Sequence, residues 1–327
     1  MPHFDKNTTA ADVVAVYPSM LAGKTIVITG PSLNSLAAEA AYSFVTASPA
    51  PAEIILLGRS IARIQPVLDK LKQLNPSVST SIVPLDLGSN ASVRKAASEI
   101  QTKVSKVDVL VNSAGIMAPE KYSVSEDGIG LQFAACHTGH FLLTALLLPQ
   151  LRASGDARVV TLTSMGYEVS PPLLDDYNFS NGSTYDPWMG YGQAKSANIL
   201  FTTELARRAK AQKEPITALV LHPGIILSSG ILQNTNMDSL GKAFQEMVQK
   251  AKDKGEEYVP EEPKTIEQGA ATTVVAAMQP DLQEKSGAFL KDCVIFEESK
   301  QKPWIKDAKL AKDLWELSER LVGEQFL

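Results

Sequence analysis

Tyr191 and Lys195, in the run YGQAK, stand four residues apart with only small or neutral residues between them. On a helix, positions i and i+4 share a face, so a phenol and an ammonium at this spacing can approach each other. Two readings are open: a solvated helix face, or a phenol tuned to give and take protons. A free Tyr has a pKa of about 10, so working near neutrality takes a shift of about 3 units, or about 4 kcal/mol. A cation roughly 4 Å away at an effective dielectric of ~20 supplies about 4 kcal/mol. Lys195 is therefore sufficient in magnitude, and the pair predicts a lowered phenol pKa. YxxxK recurs by accident, so the choice rests on what else the chain carries.

The elements that must position this pair alternate between strand and helix. Lys24 to Gly30 (KTIVITG) is an apolar, β-branched run closed by Gly and reads as a buried parallel strand. Further strands are expected at Glu53–Gly58, Ser81–Leu85, Val107–Asn112, Arg158–Thr163 and Ile216–Leu221, with a short seventh at Ala288–Leu290. Helices are expected at Ser60–Leu74, at Ser89–Val104, as one long element from Glu126 to Arg152, and around Tyr191. Strands separated by helices call for right-handed crossovers and a doubly wound, Rossmann-type parallel sheet of about seven strands. No Pro/Gly-rich linker divides the chain, so residues 1–327 are expected to form one domain. Two insertions interrupt the alternation, near 170–190 and 228–263, the second with an amphipathic helix near Leu240–Lys252. Both follow strands and should lie over the carboxyl ends of the sheet, where ligands bind in this architecture. They read as substrate covers or as surface decoration.

Strand ends carry the remaining candidates. After the first strand, TGPSLNSLAAE makes a tight turn into a helix, where backbone amides and a helix N-terminus can meet a pyrophosphate. Gly30 supplies the turn, while Asn34 and Leu36 stand where further glycines are expected. Asn tolerates positive φ, and Leu36 is bulky enough to hold backbone away from a phosphate. Arg59, just past the second strand, suits a 2′-phosphate, where an acid would suit a free ribose hydroxyl. Asp86 either accepts from an adenine amino group or serves its own loop. Asn112, Ser113, Ala114 and Gly115 close the fourth strand with small residues that let a cofactor pass near backbone. Ser164 ends the fifth strand, and His222, Pro223 and Gly224 follow the sixth.

In their order and spacing, ITGPS, LLGR, LDLGS, LVNSAG, TGHFLLTALLLP, VVTLTS, YGQAKSANILF, LHPGII and LWELSERLVGE resemble the short-chain dehydrogenase/reductase superfamily from about Gly23 to Gly323. The chain looks most like the branch with retinol dehydrogenases and WW-domain-containing oxidoreductases, including fungal relatives. The resemblance implies catalytic roles for Ser164, Tyr191 and Lys195. It implies cofactor contacts at Gly30, Ser32, Asn34, Leu36, Arg59, Asp86, Leu87, Asn112, Ala114, Gly115, Tyr191, Lys195, Pro223, Gly224, Ile226 and Ser228. The implied cofactor is NADP(H), with Ser228 in place of the usual Thr. The implied chemistry interconverts a carbonyl with a primary or secondary alcohol, an EC 1.1.1 type of reaction. Ser164 would hold the substrate oxygen, Tyr191 would move the proton, and Lys195 would tune the phenol and bind the nicotinamide ribose. Cys136, in FAACHTGHF, stands where relatives carry an Asn that helps hold a proton-relay water. Cys136, His137 and His140 have metal-like spacing but lack a fourth ligand, so no metal is expected.

Composition bounds the alternatives. Hydrophobic residues make up 44% of the 327 and charged residues 20%, ordinary for a globular chain. A net charge of -5 gives no general attraction to nucleic acid or anionic membrane. Two cysteines, Cys136 and Cys293, fit a reducing compartment, and neither a secretory leader nor a transmembrane segment is visible, so the expectation is cytoplasmic. A small-molecule carbonyl or alcohol substrate is expected, acted on by a monomer or homodimer. Tyr185, Trp188, Met189 and the residues from Ile231 to Met237 make an apolar substrate the natural expectation. A catalytically silent NADP-binding regulator and a cofactor-free scaffold are the other classes open to this fold.

Overall fold

A computed structural model describes residues 3–253, 255 and 260–327. The chain opens with α1 (Ala10–Val16), whose Thr9 and Asp12 form a reciprocal capping box. There follow β1 (Thr25–Thr29), α2 (Leu36–Val45), β2 (Glu53–Gly58), α3 (Ile61–Leu74), β3 (Ser79–Pro84), α4 (Asn90–Lys103) and β4 (Val109–Asn112). The second half runs α5 (Leu131–Phe133), a π-helical turn (Ala134–Thr138), α6 (Gly139–Leu146), α7 (Leu148–Ser154), β5 (Ala157–Leu162), α8 (Pro187–Gln212) and β6 (Ile216–His222). It closes with α9 (Met237–Asp253), α10 (Ile266–Met278), β7 (Phe289–Lys291), β8 (Val294–Ile295) and α11 (Ala308–Val322).

The strands form one eight-stranded sheet in the order β3-β2-β1-β4-β5-β6-β7-β8, parallel except for the antiparallel β7–β8 pair. The order reverses between β1 and β4, the crevice where a doubly wound sheet accepts its ligand. Side chains alternate across the sheet with period two. Ile26, Ile28, Ile54 and Leu56 join a core with α1, α2, α3 and α10, whereas Val27, Ile55 and Leu57 join one with α4, α6, α8 and α11. Burial on both faces explains why the strands read as unbroken apolar runs.

Two expectations are corrected. The long helix expected from Glu126 to Arg152 instead starts at Leu131, widens to a π turn at Ala134–Thr138, and bends by 60° around Leu147. The sheet also gains the two-residue β8. The amphipathic helix expected near Leu240–Lys252 is α9; residues 254 and 256–259 of the second insertion lie outside the described residues. No single helix among the described residues is long and apolar enough to cross a membrane.

Candidate functional site

Helix α8 carries Tyr191 and Lys195. Its N-terminus is fixed by Asp186, whose carboxylate accepts from the amides of Trp188 and Met189 at 2.9 and 2.7 Å. Such a cap contributes about 1 kcal/mol. From Gly190 to Thr202 every residue of α8 is buried, so the Tyr191–Lys195 face is not the solvated one that chance spacing would give. The residues between and beside the pair pin the first insertion. Gln193 accepts from the amide of Leu173 and donates to the carbonyl of Tyr177, while the Ser196 hydroxyl serves the carbonyls of Tyr167 and Ser170.

The Lys195 ammonium sits 5.6 Å from the centre of the Tyr191 ring and donates to the Leu162 carbonyl at 3.3 Å. Asn198, one turn on, donates to that same carbonyl at 3.0 Å. Thr163, at the end of β5, donates its hydroxyl to the backbone carbonyl of Lys195 at 2.7 Å, locking helix to strand. Ser164 begins a short 3-10 turn, Met165–Val169, and its Oγ accepts from the Gly166 amide at 3.1 Å. A Cβ on Gly166 would lie 2.8 Å from two carbons of the Tyr191 ring, so only Gly lets the Ser164 turn close over the phenol. Burial pushes the Tyr191 phenol above its ordinary pKa; the Lys195 charge and the Ser164 hydroxyl pull it down without reversing the shift. This corrects the expected lowered value. Desolvation of a phenolate in a buried site outweighs the cation beside it.

The π turn brings Cys136 to the same place. Its Sγ lies 3.4 Å from both the amide and the carbonyl of Ile116, a contact a thiol makes weakly. The carbonyl of Cys136 accepts from His140 Nδ1 at 3.2 Å, and His140 Nε2 meets the Thr29 hydroxyl at 2.9 Å. A carbonyl can only accept, so His140 carries its proton on Nδ1 and Thr29 donates to Nε2. Thr29 Oγ1 accepts in turn from the amides of Ser113 and Ala114 at 2.9 and 3.0 Å. Burial, aided by the nearby Lys195 charge, lowers His140 to about 4. His137 is lowered to about 3, chiefly by burial, and its Nε2 bonds the Ser318 hydroxyl of α11 at 2.8 Å. Both histidines are thus committed to fixing the turn. Among the described residues no three His, Cys, Asp or Glu side chains converge on a metal-binding geometry.

The other candidates line the sheet's carboxyl edge. Gly30 takes φ +79°, and a Cβ there would fall 2.9 Å from the Ala114 Cα, so the β1 and β4 ends meet as bare backbone. A Cβ on Gly115 would stand 3.2 Å from Cys136 Sγ and 3.7 Å from Lys195 Nζ, so a glycine here lets the end of β4 approach both side chains closely. These two close approaches, beside the N-terminus of α2, where the first amides lack a partner within the helix, fit a dinucleotide laid across the strand ends. Asn34 takes φ +58°, as a glycine would, and Ser35 caps α2 by accepting from Ala38. Ser32 donates its amide to Ser35 Oγ at 3.1 Å. Leu36 turns away from the turn into the core, its side chain filling the space above Gly269 beside Ile226. Arg59 is exposed and makes no ion pair among the described residues. Asp86 accepts from the Gly88 amide at 2.9 Å, the loop role, and Leu87 beside it is buried. Asn112 donates to Thr144 at 3.2 Å while its buried Oδ1 has no hydrogen-bond partner among the described residues. Pro223 and Ile226 are buried, Gly224 takes φ +95° beneath the Lys264 stem, and Ser228 is exposed.

Both insertions reach this edge. Tyr185 donates to the Pro119 carbonyl at 2.9 Å. Trp188 stands edge-on to Tyr191 at 6.2 Å and donates its indole N–H to Ser239 of α9 at 2.9 Å. Gly230 donates to the Asn34 carbonyl at 3.1 Å, and Thr235 to that of Met117 at 3.4 Å. Met189, Ile225, Leu227 and Met237, on or next to the two insertions, remain exposed. Of the residues that build this environment, sequence reasoning missed Asn198 and Glu261, named His222 only as a strand-end candidate and weighed His140 only as a metal ligand. Asn198 gave a signal only as part of YGQAKSANILF, and Glu261 gave none.

The short chain dehydrogenase model matches residues 24–239. Retinol dehydrogenase 14 from Homo sapiens is 33% identical over 319 residues, spanning 94% of this chain and 88% of the relative. The WW domain-containing oxidoreductase of Danio rerio is 31% identical over 333 residues, spanning 98% and 73%. The crystal structure of an uncharacterized protein from Mycobacterium paratuberculosis aligns with a TM-score of 0.71 at 32% identity, covering 96% of this chain and 98% of that one.

Proposed function

The chain belongs to the short chain dehydrogenase family, and from that premise we propose that it is an NADP(H)-dependent oxidoreductase interconverting a carbonyl and an alcohol on an apolar small molecule. The observation that carries the reading is the enclosed trio: a buried phenol with an ammonium beside its ring and a serine turn closed over it. The nicotinamide, when bound, supplies or takes up the hydride.

Tyr191 is the general acid/base in this reading. A phenol raised above its ordinary pKa is protonated at neutral pH and ready to donate to a carbonyl oxygen. Ser164 has one Oγ lone pair occupied by the Gly166 amide, which leaves its O–H to orient that oxygen. Lys195, held by the Leu162 carbonyl, stabilises the phenolate that follows proton transfer. Gly30, Ala114 and Gly115 would hold the dinucleotide against bare backbone, and the exposed Arg59 would take the 2′-phosphate. The exposed apolar side chains of Met189, Leu227 and Met237, on or next to the two insertions, support an apolar substrate.

Cys136 favours one other reading, a catalytically silent NADP-binding regulator, because a thiol replaces the family's amide beside Lys195. A panel of aldehydes and ketones, followed by NADPH absorbance, separates the two. Turnover supports the enzyme, and binding without turnover supports the regulator.

A further inference from the structure

His222 ends β6 beneath the serine turn, and its ring links two parts of the molecule that are far apart in sequence. Nδ1 faces the amide of Met165 at 3.3 Å, and a backbone N–H can only donate. The proton of the neutral ring is therefore on Nε2, which donates to Glu261 Oε2 at 2.9 Å. The other oxygen of Glu261 meets the ammonium of Lys291 on β7. His222 is 5% exposed at its side chain and Glu261 24%. Burial raises the Glu261 carboxyl, but its bonds to His222 and Lys291 outweigh this and hold it at about 2. Glu261 lies in the return limb of the second insertion. That limb is also tied by the Lys264 amide to the Ile225 carbonyl at 2.8 Å and by the Lys264 ammonium to Asp292.

The turn at Ser164 has three successive amides. That of Gly166 donates to Ser164 Oγ and that of Tyr167 to the Ser164 carbonyl, both within the turn. The Met165 amide alone of the three points outward, to His222. An ionised carboxylate on the far side of an imidazole makes its near nitrogen a better acceptor, and linked bonds of this kind reinforce one another. We propose that His222 and Glu261 are positioning residues that hold the Ser164 turn, so the return limb of the second insertion sets the aim of the serine hydroxyl. This rests on the reading of Ser164 as the group that orients the substrate oxygen.

The test compares His222→Phe, His222→Asn and Glu261→Ala by steady-state kinetics, NADPH binding and amide hydrogen exchange in the peptide spanning residues 163–170. Asn places an oxygen where Nδ1 stood and can again accept from Met165. A misplaced orienting group costs up to about 100-fold in rate. His222→Phe is expected to lower kcat about tenfold or more, to leave the NADPH Kd within about twofold, and to speed exchange in the 163–170 peptide. Glu261→Ala is expected to do the same to a smaller degree, and His222→Asn to recover most of both kcat and protection. Unchanged kcat and exchange in His222→Phe overturns the proposal. So does a parallel loss of kcat and NADPH binding in Phe and Asn alike, which marks a merely structural residue. A wild-type protein without turnover refutes the enzymatic reading instead, and exchange at 163–170 then decides whether the latch exists.

Discussion

Replacing Cys136 by Asn installs at the π turn the side chain that the family resemblance implies there, and its effect can be worked from the surroundings. The thiol touches the amide and the carbonyl of Ile116 at 3.4 Å each. An Asn amide can meet both with true hydrogen bonds, each worth about 0.5–1.5 kcal/mol net. Against this, Cys136 is fully buried and its sulfur faces Gly115 closely, so the larger side chain costs about 1–3 kcal/mol in overpacking. The two terms nearly cancel. The backbone carbonyl at 136 is fixed by His140, not by its own side chain. A proton route that passes Lys195 by way of that carbonyl is therefore indifferent to the substitution. Cys136→Asn should leave kcat within about threefold of wild type, measured as NADPH oxidation with the best substrate of a carbonyl panel. A rise of tenfold or more, about 1.4 kcal/mol of barrier, would refute this reasoning and show that the side chain limits proton supply.

Other consequences are equally direct. Arg59→Ala should erase a preference for NADPH over NADH on the order of 10- to 100-fold, since a charge-assisted contact is worth about 1.5–3 kcal/mol; equal Kd values in the wild type would remove the assignment. Gly166→Ala puts a methyl 2.8 Å from the Tyr191 ring and should lower kcat about tenfold or more while NADPH binding persists, as titration and turnover together will tell. His137 and His140 have folded values of about 3 and about 4, depressed below the ordinary 6.5. The unfolded chain therefore binds more protons between pH 6.5 and about 4, and stability falls as pH falls through that window. The slope from these two groups is at most about 2.7 kcal/mol per pH unit, and denaturant melts of wild type and His137→Phe should diverge there. A His137→Phe melt that tracks wild type from pH 7 to 4 would count against the burial argument.

What could be read in the sequence was local. The strands announced themselves because burial on both faces leaves no polar residue to interrupt runs such as TIVIT and EIILLG. The candidate trio and the strand-end glycines followed from residue type and place. The π turn did not, because FAACHTGHF mixes apolar, small and His residues with no periodicity that marks a change of helical pitch. It is held by distant partners: His137 bonds Ser318, and His140 bonds Thr29. The raised Tyr191 phenol escaped for the same reason, since enclosure by the Ser164 turn and the insertions is a tertiary property. Glu261 gave no signal in an acidic stretch, EEP, that reads as solvated chain, yet it pairs with His222 across the whole second insertion. β8, only Val294 and Ile295, is too short to carry a pattern.

In the proposed reaction the Tyr191 hydroxyl carries the proton. Tyr191→Phe keeps the ring, and with it the packing against Trp188 and Gly166, and removes one oxygen. The direct measurement is single-turnover NADPH oxidation by the purified variant, alongside NADPH binding by fluorescence titration. The account predicts binding within about twofold of wild type and a rate reduced by 100-fold or more, the scale of a lost general acid. Substantial residual turnover, within about tenfold of wild type, would mean that another group supplies the proton.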